Sequence, residues 1–185
     1  MNVIAQKVSV KTALTTYVMI ATATTKGIFP THLQIGIDMN IEQLREEIAE
    51  DEGVVYEIYL DHLGLPTFGI GHLVTEWDAE YGEPVGTPVS EERVNECFDT
   101  DVETVLSDCE TLYPDYYDLP EEVQLIIANM MFNMGRPRLS KFKGMKAGVD
   151  DRDWNRAADE MVDSRWYNQV TNRAERLVQR MRALA

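Results

Sequence analysis

The chain has 185 residues, 44% of them apolar, enough to bury the core of one domain and too few for two of ordinary size. Its formal net charge of −15 excludes nonspecific nucleic-acid binding, because a phosphate backbone is held mainly by clustered Lys and Arg. The charge is segregated: residues 1–40 carry +2, residues 41–135 carry two basic against 24 acidic side chains (−22), and the remainder carries 12 against 7 (+5). An acidic front facing a basic tail reads first as intramolecular complementarity. The alternative is a basic patch at Arg136, Arg138, Lys141, Lys143 and Lys146 that steers the chain toward an anionic polymer.

Residues 1–38 differ from the rest, with six Thr between Thr12 and Thr25 and no helical period. Lys7 and Lys11 precede an uncharged run, Thr12 to Ile20, followed by Ala21, Thr22 and Ala23, the order of an export signal with a small-residue cleavage site. The 14 uncharged residues from Thr12 to Thr25 fall short of the about 20 that a membrane span needs. Three readings stay open for 1–38: a signal or weak membrane-release segment, an unrelated appendage, or sequence upstream of a start at Met39. Any membrane contact is confined to residues 1–26.

From Met39 the pattern becomes regular. Ile41, Leu44, Ile48 and Val55 begin an apolar face at helical spacing that reaches Asp51-Glu52, and Gly53 stops the helix. Residues 54–73 alternate, with Tyr56, Ile58 and Leu60, then Phe68 and Ile70, around Gly64, Gly69 and Gly71, which predicts a small antiparallel sheet. Gly, Pro and polar residues fill 76–88. Ser90 is a good N-cap, with Glu91 and Glu92 suited to the positive end of a helix running to about Leu112. Tyr113, Tyr116 and Tyr117, beside Pro114 and Pro120, read as a loop. Further helices are predicted at 120–134, ending at Gly135, and at 137–146, 151–163 and 172–184. Met130, Met131 and Met134 sit at helical spacing and read as packing atoms. The two cysteines, Cys97 and Cys109, lie twelve residues apart on the predicted long helix, roughly 18 Å along its axis, so no disulfide closes between them. Their spacing carries no metal motif, and a fold made in a reducing compartment fits them.

Breaking a glycosidic bond takes one carboxylic acid to protonate the leaving oxygen and a second carboxylate to activate water or attack the sugar. Glu52 at the end of the first helix and Asp61 in the turn after the first strand are candidates for that pair, and Thr67 opens the next strand with a hydroxyl that can hold a water. Spacing alone does not single them out among 32 acidic residues.

Asp51-Glu52-Gly53, then Ile58-Tyr59-Leu60-Asp61, Gly64, and Thr67-Phe68-Gly69-Ile70-Gly71-His72-Leu73 resemble the active-site segment of the lysozymes of the T-even phages. Asn129-Met130-Met131-Phe132-Asn133-Met134-Gly135, and Ser164-Arg165-Trp166-Tyr167-Asn168-Gln169 followed by Asn172-Arg173-Ala174, resemble two further segments of that family in the same order. The likeness runs from near Met39 to the end. It implies an α+β lysozyme-like fold: a small sheet lobe, a long helix, a larger helical lobe and a cleft between lobes.

By that resemblance Glu52 is the general acid, Asp61 the carboxylate that activates water, and Thr67 its helper. Leu73 and Phe132 line the sugar cleft. Arg173 lies beside Glu52, Arg176 pairs with Asp51, Asn129 supports that cluster, and His72 pairs with Asp101. Met145 and Glu160 depart from the pattern at the cleft rim, where a well-known member has small polar side chains. Trp166 and Tyr167 read as core, with Arg165 kept as a cleft residue. Glu52 is expected to be kept protonated by apolar and acidic surroundings. The activity implied is an inverting muramidase acting on peptidoglycan glycan strands for host lysis, as a monomer without cofactor or metal. It would be made in the host cytoplasm and act on the wall. A tail-borne lysozyme used during infection and a non-catalytic wall-binding relative are the rivals; the chain keeps all three residues of the triad.

Overall fold

The computed structural model describes residues 39–185, and the readings of 1–38 lie outside the described residues. The first helix, α1 (Ile41–Glu52), starts where the Asn40 side chain accepts the Gln43 N–H at 3.0 Å, and buries Leu44 and Ile48. It stops at Gly53, whose φ of +74° strains any residue with a Cβ. Three antiparallel strands follow in the order β1 (Val55–Leu60), β2 (Pro66–Gly69) and β3 (His72–Leu73), with Thr67 paired to Tyr59 on one side and to Leu73 on the other.

Two expectations fail in this region. Val55 belongs to β1 rather than to the helical face, and Tyr56 and Leu60 are half exposed, leaving Ile58 as the buried side chain of β1. The register of β1 slips between Val55 and Tyr59, which breaks the strict two-residue alternation the sequence suggests.

The long helix α2 (Glu91–Leu112) is capped by Ser90 Oγ, which accepts the Arg93 N–H at 3.2 Å. Its buried stripe, Val94, Phe98, Val102, Val105 and Cys109, recurs every three or four residues. The stripe's first turn meets the sheet so closely that a Cβ on Gly69 would fall 2.9 Å from Val94 Cγ1. Cys97 and Cys109 are both buried and free on this helix.

Helix α3 (Glu121–Met134) is buried on every side from Val123 to Met131, so it forms the axis of the helical lobe. It ends at Gly135, φ +71°. The predicted loop before it is largely core: Tyr113 and Tyr116 are buried, and the Tyr116 hydroxyl donates to Gln124 O at 2.7 Å. Lys146 Nζ stands 5.0 Å over the Tyr113 ring.

The expected helix at 137–146 is two, α4 (Arg136–Leu139) and α5 (Lys143–Asp150). The chain turns at 140–142 so that Leu139 and Phe142 both reach the core, Phe142 packing edge-on to Trp166 at 6.4 Å. Helix α6 (Trp154–Val162) starts later than the expected 151 because the Asp153 side chain caps it. It crosses α5 closely enough that a Cβ on Gly148 would lie 2.6 Å from Ala157 N. A short helix absent from the expectations, α7 (Arg165–Gln169), is capped by Ser164 and precedes α8 (Thr171–Arg182).

Part of the segregated charge pairs within the fold. Arg180 of α8 binds Glu47 of α1 at 2.7 Å and also Glu122 of α3; Arg136 meets Asp108 at 3.0 Å and Arg152 meets Asp115 at 2.7 Å. At the sheet end, His72 Nδ1 lies 2.8 Å from Asp101 of α2, as expected, and Nε2 lies 3.2 Å from a second carboxylate, Asp78, which the sequence did not suggest.

Asp101, followed by Asp78, holds His72 protonated above the usual histidine range against the opposing effect of burial. A pKa raised in the folded state gives stability that is complete below the unfolded value, about 6.5, and fades as pH rises through the folded one. Asp101→Asn is therefore expected to cost about 1.5–3 kcal/mol at pH 5 and much less at pH 9 in urea denaturation. An equal loss at both pH values would contradict the pair.

Candidate active site

The end of α1 delivers two adjacent carboxylates to different places. Asp51 turns inward, its side chain 8% exposed, and Glu52 turns toward the cleft at 26%. Between them lies Arg173 of α8, 7% exposed. Its Nη1 donates to Glu52 Oε1 at 2.5 Å, and its Nε to Asn129 Oδ1 at 2.7 Å. The same Nε is 3.1 Å from Asp51 Oδ2, and Nη2 donates to Asn129 O at 3.0 Å. Asp51 also accepts from Arg176 Nη2 at 2.7 Å and from Asn129 Nδ2 at 3.1 Å. The structure thus brings together Asp51, Glu52, Asn129, Arg173 and Arg176 as expected.

One expectation about this cluster is corrected. The surroundings of Glu52 are not apolar and acidic, because a guanidinium lies in direct contact with its carboxylate.

A sixth member escaped sequence reasoning. Asn133 Nδ2 points to Glu52 Oε1 at 3.4 Å while its Oδ1 accepts the Trp166 indole N–H at 2.9 Å. Trp166 is core, as its aromatic character suggested, and it also fixes the amide facing Glu52. The signal was available: Asn133 follows Asn129 by one helical turn on the same face of α3.

Asp61 is held differently. It sits in the turn joining β1 to β2, where Oδ1 accepts the backbone N–H groups of Leu63 and Leu65, each at 2.8 Å. Those bonds, Leu65's first, keep its carboxyl below the usual aspartate range despite the opposing cost of desolvation. Asp61 therefore stays ionised to unusually low pH.

Thr67 on β2 is buried and donates its hydroxyl proton to Leu65 O at 3.1 Å, so toward a water its oxygen is an acceptor. Tyr59, paired with Thr67 across the sheet, senses both carboxylates. Its phenol is pushed up by burial and then by the negative charges of both carboxylates.

Glu52, Asn133 and Arg173 line a cavity of about 470 Å³ together with Thr171, Asn172 and Arg176. A second groove of about 890 Å³ shares Asn133, Gln169 and Val170 with it and continues past His62, Trp166 and Arg165. This groove carries Arg138, Lys141 and Lys143, the part of the basic patch that no carboxylate pairs among the described residues, whereas Arg136 and Lys146 are tied to Asp108 and Asp150. Arg165 lines this second groove.

Met145, fully buried, and the exposed Glu160 both line the second groove, Glu160 laying its carboxylate where a Cβ on Gly144 would sit. Leu73 is exposed at the end of the sheet, and Phe132 packs edge-on against Phe98 at 5.7 Å; neither lines these two cavities.

Comparison with known proteins gives a consistent family. The family model described as Phage lysozyme matches residues 49–183. The chain is 29% identical over 157 residues to "Probable T4-type lysozyme 2" of Dictyostelium discoideum, covering 75% of this chain and 92% of that one. It is 26% identical to the "Pre-baseplate central spike protein Gp5" of Enterobacteria phage T4, over 72% of this chain and 26% of the spike protein. It is 28% identical to "Peptidoglycan hydrolase gp36" of Pseudomonas phage phiKMV, over 74% of this chain and 15% of the relative.

Arg173→Met is expected to lower stability by about 3–5 kcal/mol, because Asp51 would be left buried with part of its charge uncompensated. Arg176→Ala removes a contact from a side chain 42% exposed, and should cost less than about 1 kcal/mol. Urea denaturation of both variants at neutral pH checks the ranking, and a larger loss for Arg176→Ala would reverse the account of the cluster.

Proposed function

The chain belongs to the phage lysozyme family, glycoside hydrolases that act on peptidoglycan, and on that premise we propose that it is an inverting muramidase cutting the β-1,4 bond between N-acetylmuramic acid and N-acetylglucosamine. The observation that carries the reading is the contrast between the two carboxylates: Glu52 is held by a side-chain network at the cavity wall, and Asp61 by backbone N–H groups that keep it ionised.

In the proposed step, Glu52 gives its proton to the glycosidic oxygen as the bond to the anomeric carbon breaks. A water on the opposite face of the ring donates one hydrogen bond to Asp61 and the other to Thr67 Oγ1. Its oxygen lone pair adds to the anomeric carbon as Asp61 takes the proton. Thr67 suits this task because its own proton is committed to Leu65 O, leaving an acceptor for water. Solvent then returns Glu52 to the acid form and Asp61 to the base form. In the free protein the Arg173 guanidinium is in direct contact with the Glu52 carboxyl.

The cationic groove past Asn133, with Arg138, Lys141, Lys143 and Arg165, suits the anionic character of the wall polymer. Leu73 and Phe132 remain proposed sugar contacts. We take the enzyme to be made in the host cytoplasm and to act on the wall as a monomer during lysis. The likeness to the T4 spike protein favours a second reading, a tail-borne enzyme; recovery of the chain from purified virions would decide for it.

Glu52→Gln and Asp61→Asn are each expected to reduce lysis of purified walls by at least about a hundredfold while circular dichroism stays native, and Thr67→Ala should also slow lysis severely. Near-normal lysis by Glu52→Gln or Asp61→Asn would sink the assignment. The acid limb of kcat/KM should lie below the ordinary aspartate value of about 3.9, following the depressed Asp61.

A further inference from the structure

Outside the cleft, the end of the sheet brings three different metal-binding side chains together. A ring nitrogen of His72, a carboxylate oxygen of Asp78 and Cys97 Sγ lie within 4.8 Å of one another, on β3, the loop after it and α2. We propose that they form a site for a divalent metal ion of the zinc class that fastens the sheet and the 75–80 loop to α2. The site plays no part in the proposed hydrolysis.

The donor chemistry fits that class of ion. One imidazole, one carboxylate and one thiol make a mixed N/O/S set suited to Zn2+ rather than to Mg2+ or Ca2+, which prefer oxygen. Tetrahedral ligands at about 2.0–2.1 Å stand about 3.3 Å apart, and His72 Nε2 and Asp78 Oδ1 are already 3.2 Å apart. Cys97, buried on α2 with its Sγ inside the same 4.8 Å cluster, would complete three protein ligands, with water as the fourth.

The surroundings are organised as metal sites require. His72 turns its other nitrogen, Nδ1, to Asp101 at 2.8 Å, an arrangement that leaves Nε2 as the coordinating lone pair when the proton is on Nδ1. Asp78 is oriented by Thr75, whose N–H and hydroxyl both donate to Oδ2 at 2.8 Å, keeping Oδ1 toward the cluster. Arg93 Nη2 touches Asp78 Oδ1 at 3.1 Å and would yield that contact to the ion, remaining held by Glu80 through Nε at 3.0 Å and Nη2 at 3.0 Å. On binding, the Cys97 thiol releases its proton to solvent, as does Nε2 where it is protonated.

The test uses the full chain, reduced and stripped with chelator, titrated with Co2+ and then Zn2+ alone. The expected result is one equivalent of Co2+ with visible tetrahedral d–d bands and a thiolate-to-cobalt charge-transfer band, displaced by Zn2+, and a Zn2+-dependent rise in Tm. Cys97→Ser should abolish the charge-transfer band. Cys109→Ala should keep it. Asp101→Asn, one shell out, should weaken Co2+ binding about 10- to 100-fold while the band persists at saturation. Absence of a charge-transfer band in the unaltered protein, or a band that survives Cys97→Ser, would overturn the proposal and leave the cluster as a salt-bridge clamp.

Discussion

The buried guanidinium of Arg173 is the contact on which the site depends. A charge removed from water at this depth is tolerable only when it is paired and hydrogen-bonded, and each of the three Arg173 nitrogens has a partner from two other helices: Asp51 and Glu52 of α1 and Asn129 of α3. The last turn of α1 therefore has little freedom relative to α3 and α8. Glu52 is where it is because Asp51, one residue earlier, is anchored inside. Arg176 adds a second cation to Asp51, and Arg180 repeats the logic a turn later by joining Glu47 and Glu122. This is also where part of the charge segregation goes: basic side chains of the tail neutralise acidic ones of the front, and the acidic excess elsewhere is left to the surface.

Two carboxylates of similar intrinsic acidity are made different by what surrounds them. Glu52 faces a guanidinium and the amide of Asn133, which Trp166 keeps aimed. Asp61 is locked by main-chain N–H groups in a tight turn, so its charge and direction are set before any substrate arrives. Fixed dipoles aimed at a charge cost no reorganisation during reaction. The sheet's contribution is positional: pairing of Thr67 with Tyr59 keeps the hydroxyl two residues from the start of the Asp61 turn.

How much of this was legible varied with how local the cause was. Gly53, Ser90 and Gly135 act through their own backbone or their nearest N–H groups, and the boundaries they mark stand within a residue of expectation. The Asp51–Arg176 and Glu52–Arg173 pairs join residues more than 120 positions apart; no periodicity contains them, and they were reached only through likeness to a family. Tyr113 and Tyr116 looked like loop because Pro114 and Pro120 flank them, yet burial follows from the helices that close over them. The helix expected at 137–146 broke because the core needed both Leu139 and Phe142, a demand made by Trp166 from elsewhere in the chain. The second partner of His72, Asp78, lies only six residues away, but a loop without period gives no means of knowing that it folds back.

The central claim is that Asp61 activates a water instead of attacking the sugar, and the stereochemistry of the first product tests it most directly. A defined wall oligosaccharide with β-1,4 links, cleaved by the purified chain and followed by proton NMR before mutarotation, should release the α anomer first. Initial release of the β anomer would contradict the account and make Asp61 a nucleophile.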